Sequence, residues 1–501
     1  MAPWHEVLET PAKPELEPTL PHFYDPHGGA RQQIEDEIHR LEEQLQQLRV
    51  QRNSLLPISS LPTEILIRIF ESRQPHEQYN LTKYLLPMTW VCHHWRIVAL
   101  SYAPLWAHIN DSNLYWALHS LARSKEAKLT ASFEVSGKVA LNVIDALSSH
   151  IHRIRLIKFE FEVNHTLGEF WSQPAPALEE LQLRDVDIPI RLFSGVTPSL
   201  RKLILTECSF KFTPDALPLS NLVSLTLVDP KKEIPIEVVL RTLSFLQSLE
   251  QLSLTRVLHL PKSNSQSQVV HLRDLRNLQL FSEALPAAVY FLEHIDIPLS
   301  AQLSLRVVAN GNERQFIDLL TGFRRIHDYE IALTYNRGCL MIDGVTQVPN
   351  SGPFEVSLYH RLSWTGVHPL LLDLPIHHLQ TLIISDDLPE VWTSIDSTFP
   401  NLQNLCLRSR RTIASFIQFI ALSATYDDHD FPLPNLRVLE IETAGVRIDV
   451  VPRNTARKFY NALRVRKAQG IPLIRLETDM DIFEFPALNE VIDEFVIVGY
   501  R

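Results

Sequence analysis

At 501 residues, 45% hydrophobic and 21% charged, the chain has an ordinary globular composition and is long enough for more than one core or one elongated array. Its 47 basic and 58 acidic residues leave a net charge of −11, which excludes a general affinity for nucleic acid or anionic membrane. Only 14 glycines are present and no GxGxxG or GxxxxGKS/T phosphate loop occurs, so a nucleotide-binding enzyme is not expected.

Residues 1–29 carry repeated prolines and no apolar period, which predicts a disordered tail. The opening lacks the basic start and apolar run of a signal peptide. The longest uncharged stretch, Thr412–Tyr426, is shorter than the roughly 20 residues that cross a bilayer. Four cysteines (Cys92, Cys208, Cys339, Cys406) lie far apart with no CxxC pair, as expected of reduced thiols in a cytoplasmic or nuclear protein.

Residues 30–56 change character abruptly. Ile34, Ile38, Leu41, Leu45, Leu48 and Leu55 recur at steps of four and three among strong helix formers, with Arg52 interrupting the seam. The pattern predicts a heptad helix. It serves either a short coiled coil that makes a homodimer or a single amphipathic helix packed on its own domain. Pro57 is expected to end it.

Residues 57–110 are the densest apolar and aromatic cluster. Ser59 or Ser60 is expected to cap a helix with Pro62 in its first turn, placing Ile65, Leu66, Ile69 and Phe70 on one face behind Leu61. A break at Gln74-Pro75-His76 and a polar insertion to Lys83 follow. A second helix is expected from Tyr84 through Ala99 despite Pro87, with Val91, Cys92, Trp95 and Val98 on one side. Leu105 and Trp106 close the module behind Pro104. A segment this short offers little interior, so part of its apolar surface should face a partner. The adjacent pairs His93-His94 and His377-His378 point different ways and lack completing ligands at metal spacing, so no metal site is expected.

The order Leu61-Pro62-x-Glu64-Ile65-Leu66, Ile69-Phe70, Val91-Cys92-x-x-Trp95-Arg96 and Pro104-Leu105-Trp106 resembles the F-box. With the preceding heptad helix and Arg96-Ile97-Val98-Ala99-Leu100, it resembles the large F-box family of mushroom-forming fungi (basidiomycetes). The resemblance implies a three-helix module that docks a Skp-type adaptor and, through it, a cullin-based SCF ubiquitin ligase. The docking residues it implies are Leu61, Pro62, Ile65, Leu66, Ile69, Phe70, Val91, Cys92, Trp95, Leu105 and Trp106. The long Ser72–Lys83 segment, in place of a short Leu-Asp-Pro-x-Asp-Leu turn, departs from the family pattern.

Residues 111–150 read as a linking helical region, with a helix from Leu114 that ends at Arg123-Ser124-Lys125, a strand over Leu129–Val135 and a helical Leu141–Leu147. A strand is expected over Ile151–Phe161. An LxxLxL repeat then starts at Leu178, Leu200, Leu222, Leu249 and Leu275, and returns at Leu379, Leu402 and Leu436. The early spacing lies in or near the roughly 20–29-residue period of leucine-rich repeats. The fold class expected is therefore α/β: a small all-α F-box-like module followed by an irregular leucine-rich-repeat solenoid over 151–480. It would form a horseshoe with parallel strands on its concave face, capped by 481–501. Weaker copies at Leu303/Leu305, Ile331/Leu333 and Val356/Leu358 read as strands of degenerate repeats, and Ile234–Leu246 and Thr412–Ala424 as convex-side helices.

In such an array the leucines point inward and their neighbours outward. A target-binding set is expected among the outward residues: Arg184, Lys202, Gln251, Asn277, Phe281, Asn404 and Arg408. Only Cys208 occupies the Asn/Cys turn position, so the turns need another support. No cofactor, and no catalytic pairing of cysteine with histidine or of carboxylates, is expected. The function implied is that of a substrate receptor which is not itself an enzyme. The alternative is a repeat scaffold without a ubiquitin role.

Overall fold

The computed structural model describes residues 28–72, 81–110, 113–135, 138–161, 168–189, 191–213, 221–260, 268–308, 330–336, 339–345, 354–359, 379–385, 391–424, 431–442, 453–478, 488 and 490–497. Residues 1–27 of the expected 1–29 tail, the histidine pair at 377–378 and much of the expected cap lie outside these; Gly28 and Gly29, expected to belong to the tail, begin a helix instead. The chain divides into two compact units, Met1–Leu105 and Trp106–Arg501. Among the described residues no helix is long and apolar enough to cross a membrane.

The first unit is helical. Helix α1 (Gly28–Ser54) runs 27 residues, about 40 Å at 1.5 Å per residue. Every described side chain on it except Asn53 is exposed, so its apolar stripe is not packed against its own domain. Helix α2 (Thr63–Ser72) begins where the Pro62 carbonyl accepts from Ile65 and Leu66. The serines expected as caps do something else: the Ser59 hydroxyl donates to the Asn53 carbonyl at 2.6 Å and Ser60 to Pro57 at 2.7 Å. Leu66 and Phe70, one turn apart, are both wholly buried.

The expected helix 84–99 is two helices, α3 (Leu81–Thr89) and α4 (His93–Ser101). Pro87 cannot donate to the ladder, and α3 closes two residues later with Trp90 N–H donating to Pro87. Cys92 is fully extended (φ −159°, ψ 171°), and α4 starts afresh behind it. Val91 and Cys92 therefore lie in the link between helices, not on a helical face shared with Trp95.

The second unit is built on one open sheet. Its strands are β1 (His108–Asn110), β2 (Leu129–Val135), β3 (Ile154–Phe161), β4 (Glu180–Arg184), β5 (Lys202–Thr206) and β6 (Ser224–Val228). After the two-residue β7 (Ile234–Pro235) come β8 (Gln251–Thr255), the short β9 (Leu258–His259) and β10 (Val270–His271), then β11 (Asn277–Ser282). The short β12 (Ile295–Asp296) precedes β13 (Gln302–Val308), β14 (Glu330–Asn336), β15 (Cys339–Val345) and β16 (Phe354–Tyr359). The last are β17 (Thr381–Ile384), β18 (Asn404–Leu407), β19 (Val438–Ile441), β20 (Arg475–Thr478) and β21 (Glu494–Ile497); β7 with β9 and β10 with β12 form two separate two-stranded sheets, and the other described strands form the large one.

From β1 through β6, β8, β11 and β13, neighbours in the sheet pair in parallel. Leu181, Leu203, Leu225, Leu252, Leu278 and Leu303 stand in one register row, and Leu183, Leu205, Leu227, Leu254, Leu280 and Leu305 in the next. All twelve are buried. One contiguous core runs from Ile109 to Ile492 beneath these rows. The intervening segments bring helices to it, α5 (Leu114–Arg123), α6 (Lys138–Ser148), α7 (Gly168–Trp171), α8 (Ile236–Leu243) and α9 (Leu285–Glu293) among them. Since β1 and β2 belong to this sheet, it starts well before residue 151, inside stretches expected to be module and linker.

The middle departs from a parallel array. In space β16 follows β13 in parallel, β15 runs antiparallel between β16 and β14, and β14 is parallel to β17. The strands expected there exist, but β15 was not foreseen. Only Arg337 and Gly338 separate Asn336 from Cys339, and a two-residue link reaches only an antiparallel neighbour; a parallel return needs a dozen residues or more. Parallel order resumes from β17 to β21. The region expected to be a cap adds β21 as a further strand beside β20.

The strand exits show what replaces the missing turn asparagines. Asp185, Glu207, Asp229 and Arg256 follow successive strands with φ of +58°, +54°, +47° and +53°. This left-handed conformation disfavours residues with a Cβ. Each N–H donates to the next strand, to Thr206, Val228, Thr255 and Phe281 carbonyls at 2.8–3.0 Å, which offsets that cost. The side chains pair along the same row: Arg184 with Glu207 at 3.5 Å, Lys231 with Asp185, and Arg256 with both Asp229 and Glu283. Cys208 fills its turn as expected, its buried thiol donating to the Leu183 carbonyl at 3.4 Å. Two buried arginines clamp loops from below. Arg153 donates to Ala127 at 2.7 Å and Ser124 at 3.1 Å, and Arg466 to the carbonyls of Pro432, Leu433 and Leu436 at 2.7–3.0 Å.

Candidate functional site

Within the helical unit the expected docking residues separate by burial. Leu66, Phe70 and Leu105 are buried to 1% exposure or less and hold the module together. The Phe70 ring meets Trp95 edge-on at 5.2 Å, joining α2 to α4. Trp106 is equally buried and belongs to the second unit, where the Arg123 guanidinium lies 5.2 Å from its ring. In the free chain these four side chains lie in the interior of their units rather than on a surface.

The exposed members are Pro62, Ile65 (39%) and Val91 (54%); Leu61, Ile69, Cys92 and Trp95 are half-buried. Leu56, Ile58, Trp90 and Ile97 add exposed apolar surface outside the expected docking set. The Trp95 indole N–H is buried without a hydrogen-bond partner. The α2 and α4 ends are tied together by the Tyr102 hydroxyl donating to the Glu71 carboxylate at 2.8 Å, which raises the phenol's pKa. His93 is exposed and His94 half-buried on α4.

On the outward face of the sheet, most expected target contacts are already engaged within the chain. Lys202 binds Glu180 at 2.7 Å, Arg184 binds Glu207, and Arg408 binds Glu442 at 2.7 Å. Asn404 donates to the Thr381 hydroxyl at 3.1 Å, and Gln251 accepts from Ser224 at 3.2 Å. Asn277 Oδ1 is buried without a partner.

Phe281 has a different setting. It lines a groove of about 540 Å³ with Ser253 and Thr255 of β8, Gln279 of β11, and Ser304, Arg306 and Val308 of β13. Those residues alternate with the buried leucines, as the period of two requires. The β13 contributors were missed because that strand read as a degenerate copy, although Leu303 and Leu305 carry the same signal. The groove wall is hydroxyl, amide, ring and aliphatic side chain, with one guanidinium.

A second cluster lies at β18–β19. Cys406 Sγ and carboxylate oxygens of Glu440 and Glu442 lie within 4.8 Å of one another. Burial pushes the Cys406 thiol up to about 12, and Cys208 up to about 11. Both thiols are therefore protonated at neutral pH and are poor nucleophiles. Arg408 supplies a positive charge to the Cys406 cluster. Register alone would have found it, since Cys406 faces Glu440 across the pair.

Compared with known families, residues 58–112 match the F-box-like domain. The match coincides with α2 through α4 and ends just past β1. Domains of this kind generally bind Skp-type adaptors. No curated protein matches the chain.

Proposed function

We propose that this chain is the substrate-recognition subunit of an SCF-type ubiquitin ligase, an intracellular protein of cytoplasm or nucleus. The F-box-like module docks a Skp-type adaptor through Pro62, Ile65 and Val91, with Trp90 and Ile97 widening the contact. The adaptor carries the cullin, and the sheet, read as an irregular leucine-rich-repeat solenoid of the basidiomycete type, holds a target protein. The chain contributes proximity and orientation and catalyses nothing itself, needing neither cofactor nor metal. The observation that carries this is the F-box-like match over 58–112 falling on a small module with an uncovered apolar surface. Target contact centres on the groove around Phe281, Gln279 and Ser304, where uncharged side chains are not committed to internal ion pairs.

Co-expression with a Skp-type adaptor tests the first half. The full chain should co-purify with the adaptor, and Ile65→Asp with Val91→Asp should abolish the complex while the circular dichroism stays unchanged. Failure of the unaltered chain to bind would overturn the reading. The competing function, a scaffold without a ubiquitin role, would then stand, and the exposed seam of α1 is the observation that favours it.

A further inference from the structure

Helix α1 leaves a whole apolar seam uncovered. Ile34, Leu41 and Leu48 alternate with Ile38 and Leu45 along it, and the five are 46–62% exposed. Leu55 continues the first row just beyond the helix, and Arg52 continues the second. The flanking edges are charged unevenly. The edge following the first row carries Glu35, Glu42 and Arg49; the edge preceding the second carries Glu37, Gln44 and Gln51. Among the described residues Glu35, Glu42 and Arg49 make no ion pair. By contrast Glu37 holds Arg40 at 2.8 Å and Glu43 lies 3.6 Å from His39, both involving residues off the seam.

We propose that α1 pairs with α1 of a second copy of this chain, antiparallel, as a two-stranded coiled coil. In that alignment Leu41 packs on Leu45, Ile38 on Leu48 and Ile34 on Arg52 of the other copy, so each row meets the other. Glu35 at the acidic end comes beside Arg49 at the basic end, twice by symmetry, and Arg52 lies near Glu35. Glu42 faces its own copy at the two-fold axis, a single like-charge contact at the solvent rim. The parallel in-register alternative does worse throughout. It stacks Arg52 on Arg52, sets Glu37 against Glu42 twice and forms no opposite-charge pair. Charge thus selects orientation, and the exposed leucines supply the attraction. The seam is short, so pairing should be concentration-dependent.

Sedimentation of the full chain over a dilution series reads the stoichiometry. The expected mass at the concentrated end is twice the 57.6 kDa of one chain, falling to one chain for Leu41→Asp with Leu45→Asp. Both positions are exposed, so hydrogen exchange in 129–161 should be unchanged in that variant. A one-chain mass throughout would overturn the proposal and leave the seam to a different partner; a two-chain mass that survives the double substitution would overturn it as well. Orientation is read by oxidising chains that carry Ile34→Cys, chains that carry Arg52→Cys, and their mixture, with the bridged peptides identified by mass spectrometry. The mixture should give the 34–52 disulfide, and neither chain alone should bridge to itself. Bridges of 34 to 34 or 52 to 52 would reject the antiparallel form, because the two positions lie about 27 Å apart along one helix and a disulfide spans under about 7 Å between Cα atoms.

Discussion

Residues 28–105 and residues 106–501 treat the same kinds of side chain in opposite ways. Among the described residues, thirteen exposed large apolar side chains lie in the first unit and nine in the far longer second. The second unit stacks strands so that each leucine row covers the next, and it pairs the charges on its outward face. The first has one isolated helix and three short ones, which cannot enclose their own apolar surface. Many of its apolar side chains are left on the surface, whereas the sheet buries its own and commits much of the charge on its outward face to internal ion pairs.

The largest expected break of this contrast is Phe70→Ala. Removing a wholly buried ring that also contacts Trp95 should cost about 3–5 kcal/mol. Hydrogen exchange should then lose protection across 63–105 and keep it in β3; equal loss in both would mean that the units do not fold separately. Leu225→Ala reverses the experiment. It opens the middle of a leucine row at a cost of about 2–4 kcal/mol, and exchange should rise in β5, β6 and β8 with the helical module unaffected.

Acid should also weaken the sheet unit. Burial pushes His108 of β1 down to about 4, against an ordinary imidazole near 6.5. As pH falls from 6.5 to 4 the unfolded chain takes up a proton that the folded chain refuses, so stability declines across that window, by about 2 kcal/mol after allowing for partial solvent contact. Urea midpoints at the two ends of the window should differ less for His108→Gln. The smallest effect belongs to Ile97→Ser. With 52% of this side chain already in water, the unfolding free energy read from urea titration should change by no more than about 0.5 kcal/mol, while affinity for a Skp-type adaptor falls. A large loss of stability there would show that Ile97 serves the module's own core.

Much of this was legible without coordinates because it depends on short-range periodicity. The heptad seam, the alternating strands and the LxxLxL rows each repeat at the spacing of one helix face or one strand face, and the leucines of successive copies do meet in register. The Cys208 turn was legible for the same reason. The break between α3 and α4 was misjudged because apolar spacing at Val91, Cys92 and Trp95 outweighed Pro87. β15 was overlooked because the two-residue Arg337-Gly338 link is a weaker signal than the leucines around it. Side-chain burial in the module was not legible: Ile65 and Leu66 are neighbours of the same type, yet one is 39% exposed and the other 0%.

The amino-acid sequence by itself determined which faces are apolar and in what order they come, since a period of 2 or of 3.6 residues is a property of the local backbone. Only the tertiary structure decided which of those faces would be covered. The leucine rows find one another across parallel strands and vanish into one core, and the charges beside them are neutralised by neighbours more than twenty residues away. The α1 seam and the exposed Ile65 and Val91 have the same local character, but among the described residues no strand or helix covers them. Coverage depends on which distant segments arrive, and no local pattern encodes that.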